Sequence, residues 1–239
     1  MNGNFLFKYR GQIPILLFLI VIPFIYNTDY NDFSKTLIKQ NTIISIVISL
    51  IGFMIRIYTV GTTPAGTSGR NRDKQIAEKL NKTGVYSIIR HPLYLGNLLI
   101  WLGVAFFTIN TIFLVLAIIF FGFYYNEIMK TEENFLVKKF QNEFLLWKNI
   151  TPMFIPTFKS FKKSNYNFSL KTVLKREYSS FLAIVISFLY VQAVINISLN
   201  EEIIISNSMW IIFTAAILIT LILRSLKKYT SILNQSGRT

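Results

Sequence analysis

Two clusters of reactive side chains stand out in this chain. One is Arg90-His91-Pro92 with Tyr94 and Gly96 just beyond; the other is Glu132-Glu133. His91 is the sole histidine and cysteine is absent. That inventory excludes a multi-histidine metal site within one chain, a thiolate metal site and a cysteine nucleophile, so no metal is expected. What remains is hydrogen-bond and charge chemistry from a guanidinium, an imidazole, a phenol and two carboxylates.

Each cluster borders an apolar run. Arg90 and His91 precede the run 93–107, and Glu132 and Glu133 follow the run 112–129. A carboxylate in hydrocarbon costs several kcal/mol, roughly, so the pair marks a membrane edge or a polar cavity. Pro92 disfavours helix before it and suits the first turn of a new one. Tyr94 is placed to point its hydroxyl back to the same spot, and Gly96 leaves room for a close neighbour. Only residues 108–111 separate the two runs, which predicts a tight antiparallel hairpin whose polar ends meet. The residues alone leave two readings open. One is a polar site at a membrane mouth. The other is interfacial anchoring, with Tyr94 in an aromatic belt and the charges in surface ion pairs.

The elements that must position these groups are helical and apolar. Hydrophobic residues make up 52% of 239, with 22 phenylalanines, which predicts an all-α integral membrane protein. About six transmembrane helices are expected, near 13–26, 42–58, 93–107, 112–129, 181–197 and 203–223. The first is read as a retained span, because no small-x-small cleavage site follows it. Residues 131–148 carry apolar side chains at helical spacing, predicting a separate interfacial helix that Pro152 ends. Residues 74–80 suggest a further short amphipathic helix. Three regions follow: 1–79, two spans and a basic loop; 80–156, a core of hairpin plus interfacial helix; and 157–239, a linker, two spans and a tail.

Net charge is +14. With the N-terminus in the cytoplasm, Lys8 and Arg10, seven further Lys/Arg from Arg56 to Arg90, ten from Lys130 to Arg176 and four in the tail share one side. Only Lys35 and Lys39 lie on the other. This asymmetry follows the positive-inside rule and suits contact with anionic lipid headgroups, so nucleic acid is not the expected partner. Both large polar regions then face the cytoplasm, as would a site shared between them.

In order, Thr83-Gly84-Val85-Tyr86, Arg90-His91-Pro92-x-Tyr94-x-Gly96 and Gly103, then Glu132-Glu133-x-x-Leu136-x-x-x-Phe140, Phe144, Trp147, Pro152 and Pro156 resemble one known group. It is the isoprenylcysteine carboxyl methyltransferase and phospholipid methyltransferase superfamily. The resemblance covers about residues 80–156. It implies a cytosol-facing pocket for S-adenosylmethionine at the membrane edge, contacted by Leu80, Tyr86, His91, Pro92, Tyr94 and Glu132. It places Arg90, His91, Glu132 and Glu133 as the residues that do or support the chemistry. No Gly-x-Gly-x-x-Gly after a strand supports a soluble dinucleotide fold instead.

The departures bear on the acceptor. Gln141 stands where the family has glycine, and Phe144 and Trp147 replace tyrosines. Ile128 stands where the isoprenylcysteine branch has an arginine for the substrate carboxylate, so Lys130 or another basic group substitutes or the acceptor differs. The loop 66–72, with Arg70 and Arg72, suits a phosphate, and its long form resembles the bacterial branch. The expectation is therefore O-methylation of an anionic group, phosphate first, on a membrane lipid such as lipid A in a bacterial inner membrane. Alternatives are carboxyl methylation of a prenylcysteine, N-methylation of phosphatidylethanolamine, and a non-catalytic scaffold or transporter.

Overall fold

The computed structural model describes residues 3–67, 77–200 and 206–238, and among these are seven α-helices and no β-strand. In order they are α1 (Gly3–Lys8), α2 (Leu17–Tyr26), α3 (Lys35–Thr62), α4 (Pro92–Phe107), α5 (Thr111–Ile150), α6 (Leu170–Asn200) and α7 (Asn207–Tyr229). Four of them, α3, α5, α6 and α7, are long and apolar enough to cross a membrane. The other two expected spans are shorter apolar segments, Ile13–Tyr26 and Pro92–Phe107. At 1.5 Å per residue the 16 residues of α4 reach about 24 Å, less than a hydrocarbon core of about 30 Å.

Caps rather than hydropathy set several helix starts. The Ser34 hydroxyl accepts the Leu37 N–H (3.2 Å), so α3 begins ahead of its apolar run. Ser169 accepts the Thr172 N–H (3.1 Å) and starts α6 well before its apolar run, which places Arg176 and Glu177 on a helix. Asn110 accepts the Phe113 N–H (2.8 Å), fixing the turn of the α4–α5 hairpin at the expected place. The described part of the expected 74–80 helix, residues 77–80, is not helical.

α4 packs most extensively on α3, through small residues. Ser45, Ser49 and Gly52 recur at helical spacing on α3 and face Gly96 and Gly103 of α4. The Ser49 hydroxyl donates to the Ile100 carbonyl (3.0 Å). A Cβ on Gly103 would lie 2.6 Å from the Ser45 carbonyl, and one on Gly96 would lie 2.7 Å from that of Gly52. Close backbone approach of this kind holds helices together where lipid supplies no hydrophobic drive. The next position on the same α3 face is Arg56, which the seam carries in beside Gly96.

The expected separate interfacial helix does not begin at residue 131: α5 continues without interruption from the hairpin turn past Glu133, and a second helical segment starts only after Gln141 and runs to Ile150. Glu132 and Glu133 are therefore rigidly coupled to the apolar half. The helix is broken once, at Gln141, with φ 44° and ψ −121°. That backbone belongs to glycine, so the departure from the family pattern at this position is a costly one for the main chain. Gln141 is exposed and has no packing to lose. Gln141→Gly is expected to raise stability by about 1 kcal/mol, read as a higher midpoint of unfolding in mixed micelles; an unchanged or lower midpoint would show that the kink is unstrained.

Candidate active site

The segment that carries the first cluster is held by backbone hydrogen bonds to the chain beyond α5. Arg90 N–H donates to Pro152 O (2.9 Å), Thr157 N–H to Ile88 O (2.9 Å) and Gly84 N–H to Lys162 O (2.8 Å). Trp147 donates its indole N–H to Tyr86 O (3.1 Å). Gly84 adopts φ 61°, a conformation that favours glycine. Pro92 occupies the first turn of α4, with His91 as the residue before it.

Glu133 is the hub that joins the two clusters. Its carboxylate accepts Arg90 Nε at 2.8 Å, meets His91 Nε2 at 3.2 Å and pairs with Lys148 Nζ at 2.9 Å. The Arg90 and Glu133 side chains are only 7% and 4% exposed. Arg90 also donates to the carbonyls of Lys148 (2.9 Å) and Thr151 (2.6 Å). These bonds leave Arg90 and Glu133 engaged mainly with the protein, as positioning groups. Glu133 is not on the cavity wall described next.

Glu132 is placed differently. Successive helical residues diverge by about 100°, so adjacent carboxylates face different surroundings. Glu132 lines a cavity of about 440 Å³ and its side chain is 32% exposed. His91 Nδ1 lies 3.6 Å from its carboxylate. The expected contacts Leu80, Tyr86, His91, Pro92 and Tyr94 all line this cavity with Glu132. Enclosure, and next the charge of Glu132, push the Tyr86 phenol well above its ordinary pKa, which makes it a hydrogen-bond donor and not a base.

Other expectations fare differently. Lys130 is absent from the cavity wall; its ammonium pairs with Glu127 at 2.9 Å, and both side chains are exposed. Arg70 and Arg72 lie outside the described residues, though their neighbour Thr67 lines the cavity. The sequence reading missed Arg10, Arg56, Asn97, Arg176 and Glu177, which all line it. The available signal was the helical spacing of Ser45, Ser49, Gly52 and Arg56, which marks one polar and small face.

Among the described residues no group of three or more His, Cys, Asp or Glu could hold a metal ion. The arrangement suits a ligand that is both cationic and hydrogen-bonding: an accessible carboxylate, a braced imidazole, two phenols and aromatic walls, in a volume typical of small-molecule pockets.

Residues 41–143 match the phospholipid methyltransferase family model. The chain is 29% identical over 130 residues to the protein-S-isoprenylcysteine O-methyltransferase of Saccharomyces cerevisiae, covering 54% of each chain. It is 36% identical over 74 residues to the cobalt-zinc-cadmium resistance protein CzcN of Cupriavidus metallidurans, covering 31% of this chain and 34% of that one. The matched part thus spans about half the first relative and about a third of the second. No solved structure matches the chain.

Burial opposes a charge on His91, but hydrogen bonds and attraction from Glu132 and Glu133 outweigh it and raise the pKa above the ordinary 6.5. An imidazole held protonated by the fold adds stability that is complete below about pH 6.5 and fades as pH rises through the raised value. The Tm difference between wild type and His91→Gln is therefore expected to be largest near pH 6 and to shrink toward about pH 9. A difference that grows with pH would contradict the charged state assigned to His91.

Proposed function

We propose that this chain, which belongs through residues 41–143 to the phospholipid methyltransferase and isoprenylcysteine methyltransferase superfamily, methylates an anionic oxygen of a membrane lipid using S-adenosylmethionine. The observation that carries the reading is the meeting of His91 and Glu132 on the wall of one cavity at the N-terminus of α4. The donor set fits the cofactor. Glu132 presents a carboxylate for amino or hydroxyl groups, while Leu80, Tyr86, His91, Pro92 and Tyr94 supply shape and further hydrogen bonds. The cofactor, when bound, supplies a methyl group already activated on a sulfonium.

The work left to the protein is orientation and charge management. Arg90 and Glu133 hold the His91 ring, and His91 in turn braces Glu132. Trp101 and Tyr125 add apolar wall to the cavity. A phosphate or carboxylate acceptor is ionised at neutral pH and needs no general base, whereas an amine does. With His91 tied between two carboxylates and Tyr86 held protonated, an anionic acceptor suits the site better. Phosphate, as on lipid A, is the first choice, supported by Arg10, Arg56 and Arg176, three of the four arginines on the cavity wall. A prenylcysteine carboxylate is the second reading, favoured by the yeast relative. The charge asymmetry of the loops supports a site that faces the cytoplasm, and the form of the loop 66–72, which resembles the bacterial branch, supports a bacterial inner membrane.

The test is methyl transfer by the full chain in nanodiscs from methyl-labelled S-adenosylmethionine. Bacterial lipid extract, N-acetyl-S-farnesylcysteine and phosphatidylethanolamine serve as separate acceptors. Label is expected in a phosphate methyl ester, and Glu132→Gln is expected to weaken S-adenosylhomocysteine binding about tenfold or more. Label only in the farnesylcysteine ester would support the second reading, and label only in phosphatidylethanolamine would refute the anionic acceptor. No transfer together with no binding of S-adenosylhomocysteine would refute the enzyme.

A further inference from the structure

The cavity has a second pole that the methyltransferase motifs do not account for. Arg56 of α3 makes a two-point ion pair with Glu177 of α6, Nε to Oε2 at 2.9 Å and Nη2 to Oε1 at 2.9 Å. It also donates to Asn97 Oδ1 of α4 (2.6 Å) and to the Ser180 hydroxyl (3.2 Å). Arg176, one residue before Glu177, lines the same cavity and is only 6% exposed. Asn97 lies six residues beyond His91 on α4, so this pole is displaced by about 9 Å along the helix toward the apolar bundle. α6 itself lies outside residues 41–143, where the family match ends.

Ionisable groups at such a depth are costly and tend to mark a binding path. Arg56 is held in place by Glu177, Asn97 and Ser180, and Arg176 stands with it on the cavity wall. The cavity thus has a carboxylate and an imidazole at the α4 N-terminus and two largely buried arginines farther along, on α3 and α6. The first pole suits the sulfonium-bearing donor. The second suits an oxyanion arriving with its tails in the bilayer.

We propose that Arg176 and Arg56 form the subsite that binds the oxyanion of the acceptor headgroup, with Glu177 and Asn97 acting as positioning residues for Arg56. This rests on the reading of the chain as a lipid methyltransferase. It replaces the arginine missing at Ile128 with cations from α3 and α6, and it gives α6 a role in the site. The ligand chemistry is a lipid-borne oxyanion, and phosphate monoester and carboxylate are its two possible sources.

The experiment measures equilibrium binding to the full chain in nanodiscs, without turnover. The probes are phosphatidic acid, N-acetyl-S-farnesylcysteine and S-adenosylhomocysteine, each against wild type, Arg176→Gln and Arg176→Lys. Arg176→Gln is expected to weaken one of the two acceptor probes about tenfold or more, with S-adenosylhomocysteine changed by less than about threefold. Arg176→Lys should recover part of the loss. The probe that responds identifies phosphate or carboxylate as the source. A parallel loss of S-adenosylhomocysteine binding would assign Arg176 to the cofactor and overturn the proposal, as would unchanged binding of both acceptors. Failure of the wild type to bind S-adenosylhomocysteine would strike the methyltransferase reading instead, and the acceptor arms still decide the subsite. If Arg176→Gln does not fold, a phosphatidic acid with a diazirine beside its phosphate decides on wild type. Label on residues 171–182 is expected, and label confined to other segments overturns the proposal.

Discussion

The carboxylate of Glu133 is the constraint on which the site depends. It stands on α5, yet its partners are Arg90 and His91, which precede α4, and Lys148, which lies beyond the break at Gln141. A buried carboxylate with one partner removed leaves an uncompensated charge, at a cost of about 3–5 kcal/mol. The network therefore penalises any arrangement in which the start of α4 drifts from the middle of α5. Its yield is positional: His91 is held by its far nitrogen while its near one faces Glu132. One glutamate of the pair fixes the imidazole, and its neighbour, turned by a helical step, meets the ligand.

That arrangement is only as firm as the helices beneath it. α4 is too short to dominate a membrane bundle, and it is located by the small-residue seam with α3, where Gly96 and Gly103 admit backbone and serine of the neighbouring helix. The same seam delivers Arg56 to the cavity, so packing and site geometry share one helix face. α5 adds rigidity from the other side, since its unbroken part, ahead of Gln141, carries both the apolar contacts of Phe121 and Tyr125 and the carboxylate of Glu133. The segment beyond α5 returns along residues 84–90 and closes the ring of contacts.

Much of this was legible in the sequence. The polar gap at 108–111 announced the hairpin, Pro92 announced the start of α4, and the position of the two clusters at the ends of apolar runs brought them together. The continuation of α5 past Glu133 to Gln141 was not legible, because residues 131–148 have an amphipathic pattern of their own that also suits a separate helix. The different duties of Glu132 and Glu133 were not legible either, since adjacent residues differ only in which way packing turns them. Arg10, Arg56 and Arg176 were hidden by their own charge: a cation near a span end reads as a topology signal, and only the fold reveals that these three turn inward. Their neighbour Glu177 begins before the apolar part of α6, in a stretch that a serine cap, and no hydrophobic pattern, makes helical.

The most direct measurement of the central claim is a double-mutant cycle between Arg90→Met and Glu133→Gln, read as unfolding free energy in mixed micelles. If one buried network ties the two clusters together, each single change costs several kcal/mol, roughly 3–5, and the double change costs little more than either alone, a coupling above about 2 kcal/mol. Losses that simply add would contradict the account, because the two clusters would then be stabilised independently of each other.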